Sequence, residues 1–105
     1  MMHVQFHTDN HVEGYDRLQE YFSNYLRQAL SHFEDKITGL EVFLGDENSD
    51  KFGKNDKKCT IEARLAGIKP VAVINHADTI ELAIQGASSK MKKVLTTTYD
   101  KMRTH

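Results

Sequence analysis

The stretch HADTIELAIQGASSKMKKVL, residues 76–95, decides how the second half of the chain folds. Its apolar residues recur every three or four positions, and this spacing continues beyond it, which is typical of one face of an α-helix. The stripe consists of Ile80, Ala83, Ile84, Ala87, Met91, Val94, Leu95, Thr98 and Met102. Asp78 followed by Glu81 has the spacing of a capping box, so we expect the helix to begin there. Such a helix needs an apolar surface to cover.

Cations border this stripe on both sides. At about 100° per residue, Lys90, Lys93 and Lys101 share one flank of the helix, and Lys92 and Arg103 share the other. Lysines in the C-terminal half of a helix also favour the helix dipole and keep the surface solvated, so the flanks need no ligand to explain them. Phosphate binding becomes the competing interpretation because more cations follow in the same half of the chain. These are Lys54, Lys57, Lys58, Arg64 and Lys69.

The overall charge hides an asymmetry between the two halves of the chain. All 105 residues together carry a net charge of -1, with 39% hydrophobic and 28% charged residues, which is the composition of an ordinary soluble globular protein. Residues 1–53 contain ten acids and four Lys/Arg (-6), whereas residues 54–105 contain five acids and ten Lys/Arg (+5). Any surface that binds nucleic acid must therefore be one-sided.

The remaining elements follow from hydrophobic periodicity. A stripe from Tyr15 to Phe33 has helical spacing. Alternation of apolar and polar residues predicts four strands. They cover residues 2–7, 37–44, 59–65 and about 69–75. The segment GDENSDKFGKNDKK, residues 45–58, has the composition of a mobile hairpin loop between the second and third strands.

The order β-α-β-β-β-α predicts an α+β fold in a single domain, residues 1–105. The helix between the first two strands suggests a right-handed crossover with those strands parallel, and the later hairpins make the rest of the sheet antiparallel. Both helices have an apolar face to bury, so we expect them side by side on one face of a four-stranded mixed sheet, with the other face in water.

The sequence offers little for catalysis or metal binding. Cys59 is the single cysteine, lies on the apolar side of its strand and is expected to be buried filler rather than a nucleophile. His3 and His7 share a strand face, and His76 could lie near them, but surface histidines explain this pattern better than a zinc site. We therefore predict no enzyme activity, no catalytic residue, no metal and no cofactor.

The chain contains no apolar run of the length that spans a bilayer and no signal-peptide pattern at its start. With one free cysteine it suits a reducing compartment, and we expect a cytoplasmic protein without a membrane partner or a small-molecule substrate. An exposed first or fourth strand could pair with a second chain, which leaves a weak homo-oligomer open.

Several separated blocks resemble one family in the right order. LQEYFSNYLRQALSHFEDKI and ADTIELAIQGASSKMKKVL are similar to segments of the ribosome-hibernation proteins, the hibernation promoting factor and the ribosome-associated inhibitor. LGDENSDK, CTIEARLAG and KPVAV resemble a branch of short bacterial members. The resemblance covers nearly the whole chain.

This resemblance implies a function based on occupancy. Members of the family bind the small ribosomal subunit over ribosomal RNA, in the cleft between head and body, and block the sites of messenger and transfer RNA in starved or stationary cells. Long members add a C-terminal dimerisation domain that pairs ribosomes, and residues 1–105 contain no segment similar to it.

The resemblance also implies which residues bind RNA. Lys90, Lys93, Lys101 and Arg103 match basic positions of the family on the last helix. The full set predicted to contact phosphates is Lys90, Lys93, Lys101, Arg64, Lys92, Arg103 and Arg27. Other positions depart from the family pattern, where uncharged residues replace lysine or arginine. These are Gln19, Tyr25, Gln28, Thr97 and Tyr99. The alternative function is therefore a protein-interaction module of the same fold that has lost strong RNA binding.

Overall fold

The computed structural model describes residues 2–8, 15–46 and 57–103, with the backbone alone described at 15–17 and 103. The elements are β1 (His3–Thr8), α1 (Tyr15–Ala29), a 3₁₀ turn (Ser31–Phe33), β2 (Ile37–Asp46), β3 (Lys57–Leu65), β4 (Ile68–Ala77) and α2 (Ile80–Arg103). The predicted order and the α+β class are confirmed.

The four strands form one mixed sheet in the order β1-β2-β3-β4. β1 and β2 are parallel, as predicted, and the other neighbours are antiparallel. Phe6 lies opposite Val42, Val42 opposite Ile61 and Ile61 opposite Val73, and all four side chains are buried. Because alternate residues of a strand face opposite sides, this row marks the core face. No described helix covers the other face, which we call the open face.

Both helices pack on the core face. α1 contacts β1, α2 contacts β3 and β4, and the helices contact each other. Phe22 and Leu26 of α1 join Ile84, Met91 and Leu95 of α2 in one hydrophobic cluster with the strands. Cys59 is fully buried in this cluster, which confirms its predicted role as core filler.

The first helix is shorter than its apolar stripe predicted. α1 ends at Ala29, and the stripe continues into a 3₁₀ turn in which Phe33 N donates to Leu30 O at 2.9 Å. A spacing of three residues fits an α-helix and a 3₁₀ turn alike, so periodicity could not separate them. The spacing of this stripe also predicts that Leu18 is in the core, but Leu18 is 39% exposed. That prediction was wrong.

The hairpin between β2 and β3 is more regular than its composition suggested. The strands extend to Asp46 and Lys57, which lie opposite each other and form an ion pair with Lys57 Nζ 3.0 Å from Asp46 Oδ2. Pairing therefore reaches into both ends of the predicted loop, and residues 47–56 lie outside the described residues.

The start of α2 is fixed to β4 by hydrogen bonds and a close approach. Thr79 Oγ1 accepts a hydrogen bond from Leu82 N at 3.1 Å, so Thr79 supplies a cap one residue after the predicted Asp78. Asn75 Nδ2 donates to Ala83 O at 3.2 Å. A Cβ atom on Gly86 would clash with Asn75 Nδ2, so the helix crosses the strand where it has no side chain. These contacts set the direction in which the α2 cations project.

Candidate nucleic-acid interface

Lys90, Lys93 and Lys101 form the first cationic flank of α2, and all three are exposed. Lys90 lies beside the outer edge of the sheet, where its Nζ donates to the main-chain carbonyl of Ile74 in β4 at 2.8 Å. Helical spacing places Lys93 and Lys101 on the same side of the helix. Three predicted site residues therefore share one surface on a rigid element.

The second flank of α2 faces the other way around the helix. Lys92 is exposed there, and Arg103 is the last residue of the helix. From Ser88 onward α2 carries four lysines and one arginine against a single acid, Asp100. This concentration of positive charge along about four helical turns can attract several phosphates at once.

Arg64 does not belong to this surface. It projects from β3 on the open face of the sheet, and the helices cover the opposite face. Arg64 Nη2 lies 3.3 Å from Glu41 Oε2, and Glu41 Oε1 lies 2.9 Å from His7 Nε2. The carboxylate of Glu41 partly neutralises Arg64, so the structure separates Arg64 from the α2 lysines in both position and charge.

Arg27 occupies the last turn of α1 and is half-buried. Its Nε is shielded from water and has no hydrogen-bond partner within the described residues. A guanidinium N–H that is shielded without a partner reduces the stability of the fold. The charge of Arg27 is therefore not needed for folding.

The histidines of the sheet are farther apart than the sequence suggested. His3 and His7 lie in β1 at one edge of the sheet, whereas His76 lies in β4 at the other edge, with two strands between them. The idea that His76 is near the other two was therefore wrong. Within the described residues no group of three or more His, Cys, Asp or Glu side chains could hold a metal ion.

A cavity that sequence reasoning missed lies between the 3₁₀ turn, the β3–β4 turn and the end of α2. Its volume is about 570 Å³. The rings of Phe33 and Tyr99 are stacked in it, with centroids 6.0 Å apart and an interplanar angle of 25°. Burial raises the pKa of the Tyr99 hydroxyl. Three segments far apart in the chain form this cavity, so no local spacing could indicate it.

No helix in the described parts of the chain is long and apolar enough to cross a membrane.

Comparison with known proteins assigns the family. The sequence profile of the family described as Sigma 54 modulation protein / S30EA ribosomal protein matches residues 4–103. The chain belongs to this family. The match includes both flanks of α2 and confirms the resemblance that the sequence blocks indicated. Among curated proteins, no sequence matches this S30EA family member.

Two solved structures share the fold of this S30EA family member. A ribosomal subunit interface protein from Coxiella burnetii has a TM-score of 0.70 and 13% identity, over 94% of this chain and 97% of that one. The N-terminal domain of Protein Y from Thermus thermophilus has a TM-score of 0.68 and 18% identity, over 92% of this chain and 97% of that one. At such identities the likeness shows the fold.

Proposed function

We propose that this protein is a ribosome-associated translation inhibitor that binds the small ribosomal subunit through ribosomal RNA. In this role it occupies the sites of messenger and transfer RNA during stress or stationary phase. The observation that carries the proposal is the exposed cationic surface of α2 in a member of the S30EA family. The name of one protein with the same fold, a ribosomal subunit interface protein, agrees with a ribosomal role.

The proposed mechanism is exclusion without chemistry. Asn75 holds α2 against β4, and the helix fixes the points from which its lysines project. A row of ammonium groups on one helix binds phosphates and releases their counterions, which supplies affinity without reading the base sequence. A bound folded domain then prevents another RNA from entering the same space.

Co-sedimentation with purified small ribosomal subunits tests this proposal. We expect the wild-type protein to pellet with subunits at low salt and to dissociate as salt rises, because each phosphate contact contributes a slope of roughly 0.7 to 0.9 in log K against log salt. Lys93→Glu should weaken binding and lower that slope. Lys58→Glu is the control. The sequence groups Lys58 with the cations of this half of the chain, but the structure puts it on the open face of the sheet, on the side opposite α2, and the variant changes the charge equally.

Equal pelleting of the wild type and both variants at all salt concentrations would contradict the assignment of α2. Absence of the wild-type protein from the pellet at low salt would contradict ribosome binding itself.

One observation favours the second candidate, a protein-interaction module. Phe43 and Ile74 lie in one row across the open face of the sheet and are 43% and 48% exposed. The ring of His7 stacks on Phe43 at 4.6 Å. Exposed apolar groups on an open sheet face fit a protein partner, and binding there should depend weakly on salt. Loss of partner binding in Phe43→Ser, with ribosome binding unchanged, would identify this surface.

A further inference from the structure

We propose that the cavity at the end of α2 binds one nucleotide, with its base against the Tyr99 ring and its phosphate at Lys36. We name this cavity the Tyr99 pocket. It is lined by His32, Phe33, Asp35, Lys36, Tyr99 and Met102, among others. Its volume of about 570 Å³ is within the range of about 300 to 1,000 Å³ typical of small-ligand sites.

The Tyr99 pocket is held by backbone hydrogen bonds. Lys36 N donates to Phe33 O at 2.9 Å and closes the turn after the 3₁₀ segment. Ala66 N donates to Lys36 O at 3.0 Å and joins this turn to the one between β3 and β4. The third wall is the long helix α2. A ligand therefore meets walls that are already in place, which reduces the entropy lost on binding.

The interior offers an aromatic surface to a planar ring. Phe33 is buried, the half-buried Tyr99 ring stacks on it, and the His32 ring stands at 90° to Phe33 with centroids 5.0 Å apart. Aromatic side chains bind unstacked bases through their faces. The Tyr99 hydroxyl is shielded and has no hydrogen-bond partner within the described residues. A polar group of a bound nucleotide would supply the partner that this hydroxyl lacks.

Lys36 supplies a cation for the phosphate. Its Nζ lies 4.8 Å from the centroid of the Tyr99 ring, and it forms no ion pair with a described residue. An exposed cation–π contact contributes only about 0.5 to 1 kcal/mol, so a phosphate can draw the ammonium away from the ring and leave that face to the base. Lys92 lies seven residues before Tyr99, two turns along the same side of α2, which extends the positive charge toward the pocket.

Two acids that line the pocket, Asp35 and Asp100, select the base. Both are exposed, and a carboxylate can only accept hydrogen bonds. Adenine, guanine and cytosine carry an exocyclic amine that can donate to it, whereas uracil has none. Both carboxylates repel phosphate, so the phosphate binds at the Lys36 ammonium, the one lysine that lines the pocket among the described residues. We therefore expect amine-bearing bases to bind more tightly than uracil.

The nucleotide that binds in the Tyr99 pocket can be part of an RNA strand or a free nucleotide. The RNA source rests on the proposed function, because a base held at the end of α2 would extend the phosphate surface formed by the lysines. The free-nucleotide source does not, since it needs the Tyr99 pocket alone.

Fluorescence of 2-aminopurine tests the pocket, because its emission falls when the base stacks. The probes are a short single-stranded RNA with one central 2-aminopurine and free 2-aminopurine riboside 5′-monophosphate. We expect quenching by the wild-type protein with the RNA, and quenching of the free nucleotide as well if that is the source. Unlabelled adenosine monophosphate should compete for a free-nucleotide site better than uridine monophosphate.

Two variants and their controls locate the effect. Tyr99→Leu should weaken binding by about 5- to 150-fold, the loss of one base–aromatic stack. Tyr21→Leu is the same change at a tyrosine that is 56% exposed on α1 and should leave binding unchanged. Lys36→Met should weaken the probe that carries phosphate and spare 2-aminopurine riboside without it, whereas Lys58→Met should affect neither. Lys36 is exposed, so this variant stays informative if Tyr99→Leu does not fold.

Three results would overturn the proposal. One is absence of quenching with both probes, and another is an equal loss in the Tyr99→Leu and Tyr21→Leu variants. The third is a shift of the Phe33 and Tyr99 ring signals in NMR spectra on adding N-acetylphenylalanine amide but not a nucleotide, which would assign the pocket to a protein side chain. Ribosome binding that is lost in Lys93→Glu and kept in Tyr99→Leu would preserve the proposed function even so.

Discussion

Lys90 donates a hydrogen bond from its Nζ to the main-chain carbonyl of Ile74, whereas Lys93 on the same flank of α2 has no described partner. The two lysines are therefore not equivalent, although their spacing makes them look alike. Lys90 satisfies a carbonyl at the edge of the sheet, a group that otherwise offers a site for pairing with another chain.

The first prediction separates these two roles. Lys90→Met should lower the free energy of unfolding by about 0.5 to 1 kcal/mol, the value of an ordinary exposed hydrogen bond, and also weaken ribosome binding. Lys93→Met should weaken ribosome binding and leave stability within about 0.5 kcal/mol. Urea denaturation and co-sedimentation measure the two effects. The same loss of stability in both variants would show that the bond to Ile74 contributes nothing.

The second prediction concerns the crossing of α2 over β4. Alanine in place of glycine normally favours a helix by about 1 kcal/mol, but Gly86→Ala puts a Cβ atom into the space of Asn75 Nδ2. We expect Gly86→Ala to destabilise the protein by about 1 to 3 kcal/mol, as overpacking does. The control is the same change in an Asn75→Ala background, where the cost should shrink because the clashing amide is gone. An equal cost in both backgrounds would contradict this account.

The third prediction concerns Cys59. Burial raises the pKa of its thiol from 9.0 to about 12, so the folded protein keeps the proton where the unfolded chain would lose it. Below about pH 9 the thiol is protonated in both states, so its titration does not change the free energy of unfolding. As pH rises from 9 toward 12, the free energy of unfolding should fall. The measurement is urea denaturation at several pH values, compared with Cys59→Ala. If the free energy of unfolding had the same pH dependence in both proteins over this range, the pKa of the thiol would not differ between the folded and unfolded states.

The fourth prediction concerns the cap of α2. Thr79→Ala removes the oxygen that accepts from Leu82 N and should lower stability by about 1 kcal/mol. Thr97→Ala makes the same chemical change at an exposed position within the helix, where alanine is the better helix former, and should be neutral or slightly stabilising. Thermal denaturation of both variants distinguishes them, and an unchanged midpoint for Thr79→Ala would mean that the cap lies elsewhere.

Periodicity predicted the parts of the fold that depend on local geometry. Of the stripe predicted from Ile80 to Met102, Ala83, Ile84, Ala87, Met91 and Leu95 are buried because α2 has one face toward the sheet. The alternation of Cys59, Ile61 and Ala63 identified the core face of β3 in the same way. Met102 is 51% exposed, so its predicted place in the stripe was wrong. Where α1 gives way to a 3₁₀ turn, local spacing fits both forms, so the sequence pattern could not locate the end of the helix.

The candidate site was predictable to a smaller extent. Helical spacing grouped Lys90, Lys93 and Lys101 correctly, because they lie on one element. Alternation in β3 already put Arg64 on the side opposite Cys59, Ile61 and Ala63, and its grouping with the α2 lysines by charge alone overlooked this. The sequence could not predict the Tyr99 pocket, because Lys36 and Tyr99 are far apart in the chain and come together only on folding. The phosphate-binding roles of the predicted residues stay predictions.

The parallel pairing of β1 with β2 also has a consequence for the order of folding. His3 pairs with Gly39, so this ladder encloses all of α1, whereas β3 and β4 are joined by the tight turn at Gly67, whose φ is +79°. Long loops lose more entropy on closing, so the antiparallel strands and α2 should fold first, and β1 with α1 should join them later. β1 should then be the first strand to exchange its amide hydrogens in the native state.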